Sequence, residues 1–299
     1  MSLLASVTKG KKIGAQIHVI AGNNGVGKTT WAAGFPNVLM LDLEKGSGHL
    51  DVARIPSEKL TDLASVKSVL KELVETNHDY KTIAIDSVEA LEGLISDAVC
   101  IEGKVKSIEL YDGGYGKGYV RSREIMREII VELRKLQEKN ITTILIAHTQ
   151  VKSHSDPATN QTYDRVIMRC NDKMAALIRD MADNVFYATY KVFINTENKK
   201  TQAFGDGQRV MFTQWRPGFD AKNRLELPLE IPLSYDAFIE LANPEQAPKP
   251  EELISEINAM SEKLDDKMKT VVAEQVKKFE KNPVKLREVK NRLMKLVIA

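Results

Sequence analysis

Cysteine is scarce in this sequence: Cys100 and Cys170 are the only two, far apart along the chain, and they offer neither a disulfide framework nor metal-ligand spacing. No run of about 18 apolar residues occurs, which excludes a membrane-spanning helix. Residues 1–20 hold no long apolar segment after their basic residues, so no secretory signal is expected. The five histidines (His18, His49, His78, His148 and His154) form no ligand cluster in sequence. Internal repeats and low-complexity tracts are missing too. These absences leave a protein of a reducing cytoplasm, with no membrane partner. At 299 residues, 43% apolar and 28% charged, the chain has the composition of one globular domain with an appendage.

What is present is concentrated in one stretch, Gly22-Asn23-Asn24-Gly25-Val26-Gly27-Lys28-Thr29-Thr30. Glycines at its first and sixth positions, followed by Lys and Thr, fit the G-x-x-x-x-G-K-[ST] phosphate-binding pattern. The glycines let successive backbone N–H groups turn inward onto an anion at the start of a helix. Lys28 adds a point charge for the β- and γ-phosphates, and the Thr29 hydroxyl completes a Mg²⁺ shell. An apolar run, Ile17–Ala21, precedes the loop and a helical segment follows, which is the context this motif requires. The stretch implies a site for a nucleoside triphosphate with Mg²⁺.

Further along, Val38–Leu43, Thr82–Ile85 and Ile141–Ala147 read as buried strands, separated by segments with helical spacing. One such helix, carrying Leu63, Val66, Leu70 and Leu73, is assigned Thr61 as its cap. Residues 102–120 read as a long irregular stretch kept mobile by glycines at 113, 114, 116 and 118, and 148–169 as a second polar stretch. A helix is expected over 172–181, and strands over 184–190, 192–195 and 209–214. The fold class is therefore α/β, a mostly parallel doubly wound sheet with an antiparallel hairpin extension. The expected domains are a core over 1–242, a proline-bearing linker over 243–250 and a basic helical region over 251–299.

Asp86 stands at the tip of an apolar strand, where open α/β sheets place ligand groups. It fits a Mg²⁺ ligand opposite Thr29, or else a helix N-cap, a role Ser87 could equally fill. Hydrolysis also needs a carboxylate beside the γ-phosphate to orient or deprotonate water. Ser87 follows Asp86 where a second acid could have stood, so Glu44, just past the neighbouring strand, is the candidate base; the alternative is a solvated turn residue. Gln150 could sense the γ-phosphate through its amide, or be an ordinary loop residue.

The ordered set of phosphate loop, Leu41-Asp42-Leu43-Glu44, Ile85-Asp86-Ser87 and Thr149-Gln150 resembles the RecA-like recombinase ATPases. Tyr115-Gly116-Lys117-Gly118-Tyr119, Ile146-Ala147-His148-Thr149, Ala182-Asp183-Asn184-Val185 and Ala221-Lys222-Asn223-Arg224 bring it nearer to small bacteriophage RecA-like ATPases of the single-strand annealing type. The resemblance implies that Glu44 activates water and that Gln150 couples the γ-phosphate to a DNA-binding loop. It also implies that Lys222 and Arg224 act across a subunit interface, in a homo-oligomeric ring or filament. The function implied is ATP-dependent binding of single-stranded DNA, promoting annealing or recombination in phage DNA metabolism. A single-strand-binding protein is a further expected partner. The bacterial recombinases' N-terminal helical module has no counterpart here, which favours annealing over strand exchange.

DNA contacts are expected from Tyr111, Tyr115, Lys117, Tyr119, Arg121 and Arg123, where aromatics for stacking alternate with cations for phosphates. Lys152 and Arg165 belong to the stretch that resembles the second DNA-binding loop. From Glu262 onward eleven basic residues face six acids, so the rest of the chain is net negative although the whole carries +2. That basic end is either a nucleic-acid or partner-docking hairpin or a solvated amphipathic one. Two other functions use parts of the same set: a ring motor or helicase loader, and a small-molecule kinase.

Overall fold

The first buried strand, β1 (Ile17–Gly22), is covered along its whole length and delivers the chain directly to the phosphate-binding loop. The computed structural model describes residues 7, 9, 14–197, 200–244, 249–262, 264–283, 285–286, 289–290 and 292–293, without the side chains of 195–203. After the loop come α1 (Lys28–Ala33), β2 (Val38–Asp42), β3 (Ala53–Pro56), α2 (Leu63–Glu75) and β4 (Thr82–Asp86). Next are α3 (Val88–Gly103), α4 (Lys117–Glu138), β5 (Thr142–Ala147), the hairpin β6 (Thr149–Asp156) and β7 (Gln161–Met168), and α5 (Asp172–Met181). The chain continues through β8 (Asn184–Tyr190), β9 (Phe193–Glu197), β10 (Lys200–Phe204), β11 (Arg209–Phe212) and β12 (Glu230–Pro232). Then come α6 (Tyr235–Ala242), α7 (Pro250–Ser261) and α8 (Asp266–Phe279), and the described residues from 283 onward are helical as well.

One eight-stranded sheet carries the order β12-β11-β8-β1-β5-β4-β2-β3. From β8 to β3 every neighbouring pair is parallel, while β11 pairs antiparallel with β8 and with β12. This is the parallel sheet with an antiparallel extension that the alternating pattern implies. β1 lies between β5 and β8, so both neighbours flank the loop that leaves its end. The continuous apolar runs of β1, β4 and β5 suit strands buried on both faces. Val66, Leu70, Leu91, Ile95, Ile129 and Leu133 are among the helix residues packed into that core.

Several local expectations are corrected. The cap of α2 is Asp62, not Thr61: the Asp62 carboxylate accepts from Ser65 N at 2.7 Å in a capping box. Residues 102–120 are not an irregular loop. α3 runs on to Gly103, a short 3₁₀ segment spans Ile108–Gly113, and α4 begins at Lys117. The glycines split their work. Gly113, Gly114 and Gly116 take positive φ in the turn, whereas Gly118 sits within α4 because a Cβ there would lie 2.1 Å from the Ile108 carbonyl oxygen. Close packing, not mobility, requires that glycine. The 148–169 stretch is likewise mostly a regular antiparallel hairpin, β6 paired with β7 in continuous register.

The chain forms two compact units, Met1–Leu233 and Ser234–Ala299. The expected core end at 242 therefore differs from this division, which groups α6 with the second unit. That unit has its own apolar centre of Leu253, Ile257, Val272, Leu286, Val289 and Leu293. Residues 245–248 of the expected linker, and Lys263, Arg287, Glu288 and Lys295 of the basic end, lie outside the described residues. Among the described residues no helix is long and apolar enough to cross a membrane.

Candidate active site

The loop from Gly22 to Thr30 gets its shape from close approach and from positive φ. A Cβ on Gly22 would lie 2.3 Å from the Ala188 carbonyl oxygen of β8, so only glycine lets the two strands come together there. Gly25 and Gly27 take φ of 74° and 108°, the left-handed region glycine enters without strain. No side chain caps α1, which leaves its first N–H groups free for an anion. Lys28 is 5% exposed and donates through Nζ to the carbonyls of Gly22 (2.8 Å) and Asn23 (2.9 Å). Burial lowers its pKa, against the pull of the Asp86, Glu89 and Glu44 carboxylates. It is a cation folded onto its own loop, within reach of any phosphate that enters.

The adjacency of β2, β4 and β5 gathers the other groups. Asp42, Asp86 and Ile146 stand in register across these three strands, so the residues just beyond them meet at one edge. Thr29 Oγ1 donates to Asp86 Oδ2 at 2.7 Å. Asp86 is 4% exposed and its pKa is raised, first by burial and then by the charges of Glu44 and Asp42, against the hydrogen bond from Thr29. Excess negative charge beside a hydroxyl, in a dry place, is what a divalent cation relieves, so Thr29 and Asp86 fit Mg²⁺. Asp42 is spent locally: its carboxylate accepts from Gly46 N (2.9 Å), Ser47 N (3.1 Å) and Ser47 Oγ (2.6 Å), fixing the turn that carries Glu44.

Glu44 is held at both oxygens. Ser87 Oγ donates to Oε1, and His148 Nε2 lies 2.9 Å from Oε2. Partial burial pushes its pKa up, but the hydrogen bonds from Ser87 and His148 and the charge of Arg169 outweigh this, and the net direction is down. A base with a lowered pKa stays ionised and able to accept a water proton across the neutral range. His148 Nδ1 also lies 3.3 Å from Lys28 Nζ. One tautomer serves both contacts: Nε2–H donates to Glu44 while the Nδ1 lone pair accepts from Lys28. The His148 backbone N–H donates to Glu89 at 2.9 Å. Glu44, Glu89 and His148 bring ligand atoms within 4.8 Å of one another, but the Lys28 ammonium already supplies positive charge there.

The residues expected at the site divide cleanly. Lys28, Thr29, Asp86 and Glu44 come together with the loop. Gln150 does not join them: it is exposed on β6, two positions beyond His148, and His148 holds the place between Lys28 and Glu44. The signal for His148 lay in its position directly after the apolar run of β5. Lys222 and Arg224 lie toward the opposite end of the sheet, since Lys222 bridges Val185 near the start of β8. Lys222 Nζ donates to the carbonyls of Arg179 (3.2 Å), Asp180 (3.1 Å) and Ala182 (2.6 Å), closing the C-terminus of α5. Arg224 pairs with Asp183 at 2.6 Å.

The expected DNA contacts are mostly engaged within the chain. Tyr111 donates to Glu102 (2.6 Å) and Tyr119 to Glu109 (2.6 Å), Lys117 pairs with Asp112 (2.8 Å) and Arg121 with Glu102 (3.1 Å). Tyr115 is the exception, at 101% exposure with φ of 54°. Arg123 keeps its Nε buried without a partner. On the hairpin side, Lys152 pairs with Asp172, and Arg165 pairs with Asp220 (2.7 Å) while lying over the Trp215 ring.

A family model described as AAA domain matches residues 15–225. The SPbeta prophage-derived uncharacterized protein YorG of Bacillus subtilis strain 168 is 28% identical over 189 residues, which cover 62% of this chain and 53% of that protein. The match thus spans about half the length of that relative. Among solved structures, the flagellar accessory protein FlaH from Methanocaldococcus jannaschii shares 13% identity over 73% of this chain and 84% of that one, with a TM-score of 0.34. The KaiC-like protein PH0186 from Pyrococcus horikoshii OT3 shares 16% identity over 73% and 85%, also with a TM-score of 0.34.

Proposed function

This chain belongs to the AAA domain family of P-loop ATPases, and on that premise we propose that it hydrolyses ATP with Mg²⁺ and couples the reaction to single-stranded DNA. The proposed division of labour is as follows. The loop amides and Lys28 bind the phosphate chain, and Thr29 and Asp86 would hold the cation. Mg²⁺ supplies positive charge to the β- and γ-phosphate oxygens when bound. Glu44 orients a water whose oxygen bonds to the γ-phosphorus as the bond to the β–γ bridging oxygen breaks. The water's proton passes to the Glu44 carboxylate, and ADP leaves with the bridging oxygen. Arg224, whose side chain stays more exposed than buried beside Asp183, acts across the interface of a homo-oligomer, adding positive charge to a neighbour's site, while Lys222 holds the end of α5 next to it.

The observation that carries the coupling is the position of His148. It touches Lys28 and Glu44 with its ring, and the next residue, Thr149, opens the β6–β7 hairpin and donates to Asn23 of the phosphate loop at 2.9 Å. A change at the γ-phosphate end therefore reaches the base of that hairpin through two adjacent residues. DNA meets the hairpin and the turn presenting Tyr115, whose ring is free to stack on a base. The prophage origin of the Bacillus subtilis relative supports placing this activity in phage DNA metabolism, as strand annealing or recombination.

The test is the annealing of two complementary oligonucleotides, one fluorescent and one quenching, with and without ATP. The proposal expects annealing faster than spontaneous pairing and dependent on ATP. No acceleration, together with ATP-driven unwinding of a forked duplex, would replace annealing with a motor function.

A further inference from the structure

Two side chains, one from β8 and one from the antiparallel strand β11, reach the phosphate loop on the side away from Glu44. Tyr190, the last residue of β8, donates its hydroxyl hydrogen to the Gly25 carbonyl at 3.1 Å. Arg209, the first residue of β11, is paired directly opposite Tyr190, so both side chains project to the same face of the sheet. The Arg209 guanidinium lies against the loop, where a Cβ on Gly27 would be 2.8 Å from Nη1. The register explains the reach: Gly22, where β1 ends, is opposite Ala188, so β8 runs two residues further and brings Tyr190 level with the loop. Tyr190 (42%) and Arg209 are both exposed. Arg209 has no carboxylate partner among the described residues, unlike Arg121, Arg165, Arg179 and Arg224.

Strand order assigns the polarity of the site. Asp86 and His148 stand on β4 or just beyond β5, and Glu44 just beyond β2, all on one side of β1; β8 and β11 are on the other. If the water-activating groups mark the γ-phosphate end, the β8–β11 side faces the nucleoside end. We infer that Tyr190 and Arg209 form the nucleoside end of the nucleotide site: Arg209 binds non-bridging oxygens of the phosphates nearest the ribose, and the Tyr190 ring packs against the nucleoside. This rests on the nucleotide-site reading above and extends it to residues outside the phosphate-loop motif. The chemistry suits the task, because an unpaired guanidinium forms charge-assisted hydrogen bonds to phosphate and a half-exposed aromatic offers a face to a base or sugar. Gly27 itself is required by its φ of 108°, and the guanidinium lies in the space that its missing side chain leaves open.

The test is equilibrium binding of a fluorescent ADP analogue to the full chain, with inorganic pyrophosphate as competitor. Arg209→Gln is expected to weaken both ligands about tenfold, the loss of one charge-assisted hydrogen bond. Tyr190→Leu is expected to weaken the ADP analogue several-fold and leave pyrophosphate unchanged. ADP affinity unchanged in Arg209→Gln would overturn the inference, as would a loss confined to ATP, which would move Arg209 to the γ-phosphate. Thermal unfolding of both variants separates a binding loss from a folding loss. Wild-type protein that binds no ADP analogue would instead remove the nucleotide-site reading itself.

Discussion

Glu44 Oε2 and His148 Nε2 are 2.9 Å apart, and they come from strand ends separated by a hundred residues of chain. The contact joins the proposed base to the residue just beyond β5, whose ring also touches the Lys28 ammonium. Since Ser87 occupies the other carboxylate oxygen, Glu44 is oriented before any water arrives. Preorganisation of this kind lowers the cost of placing the base at the moment of reaction.

A pH profile follows from the lowered pKa of Glu44. Hydrogen bonds to its ionised form, from Ser87 and His148, favour that form over burial, so the acid limb of kcat lies below the ordinary carboxylate range. His148→Ala removes one donor and should move that limb to higher pH, with kcat down by roughly tenfold or more. His148→Gln retains a donor and should shift it less. Steady-state rates across pH check this; identical acid limbs in the wild type and His148→Ala would show that His148 does not tune Glu44.

Asp86 carries an expected trade of stability for function. Its raised folded-state pKa means that the ionised form is penalised by folding, a destabilisation present above that pKa and relieved as pH falls through it. Asp86→Asn removes the penalty at neutral pH. The ligand-free protein should melt at a higher temperature, while the Mg²⁺-dependent part of ATP affinity disappears. Differential scanning calorimetry without nucleotide and titration with and without Mg²⁺ read the two effects separately. A lower melting temperature would contradict this reading of the buried carboxylate.

Tyr115 is the exposed aromatic of the 3₁₀–α4 turn. Tyr115→Ala should weaken single-stranded DNA by about 1–3 kcal/mol and leave DNA-free ATP hydrolysis unchanged. Fluorescence anisotropy with a labelled oligonucleotide measures the loss, and equal affinity would move the DNA surface elsewhere.

Arg224 and Glu44 are proposed to serve different protomers' sites. Each of Arg224→Ala and Glu44→Gln alone should be nearly inactive, whereas mixing the two should restore part of the hydrolysis, because a Glu44→Gln protomer still offers Arg224 to a neighbour with an intact Glu44. Lys222→Ala should chiefly lower the melting temperature, since Lys222 closes the end of α5 through three carbonyls. Rates of the mixture no better than the separate variants would argue that Arg224 acts within its own chain.

The phosphate loop was fully legible in the sequence because its chemistry is local: the glycines, Lys28 and Thr29 are contiguous. Asp86 and Glu44 were legible from a weaker rule, that polar residues at the ends of buried strands meet at one edge of a parallel sheet. His148 obeys the same rule, but the resemblance directed attention two residues on to Gln150, and only strand order shows that β5 lies beside β1. Arg209 gave no local sign, since its approach to Gly27 depends on antiparallel pairing with Tyr190 across the β9–β10 hairpin. The turn around Tyr115 is ambiguous in sequence because glycine serves both mobility and tight packing. Gly118 answers to the second, against the Ile108 carbonyl, and that contact is tertiary.

Steady-state ATP hydrolysis by the wild type, with and without single-stranded DNA at low salt and with Glu44→Gln as control, tests the central claim most directly. The account expects Mg²⁺-dependent turnover, stimulated several-fold by single strands and little by duplex, and reduced about 100-fold or more in Glu44→Gln. Turnover that ignores single strands in a folded, ATP-binding sample, or that survives in Glu44→Gln, would contradict it.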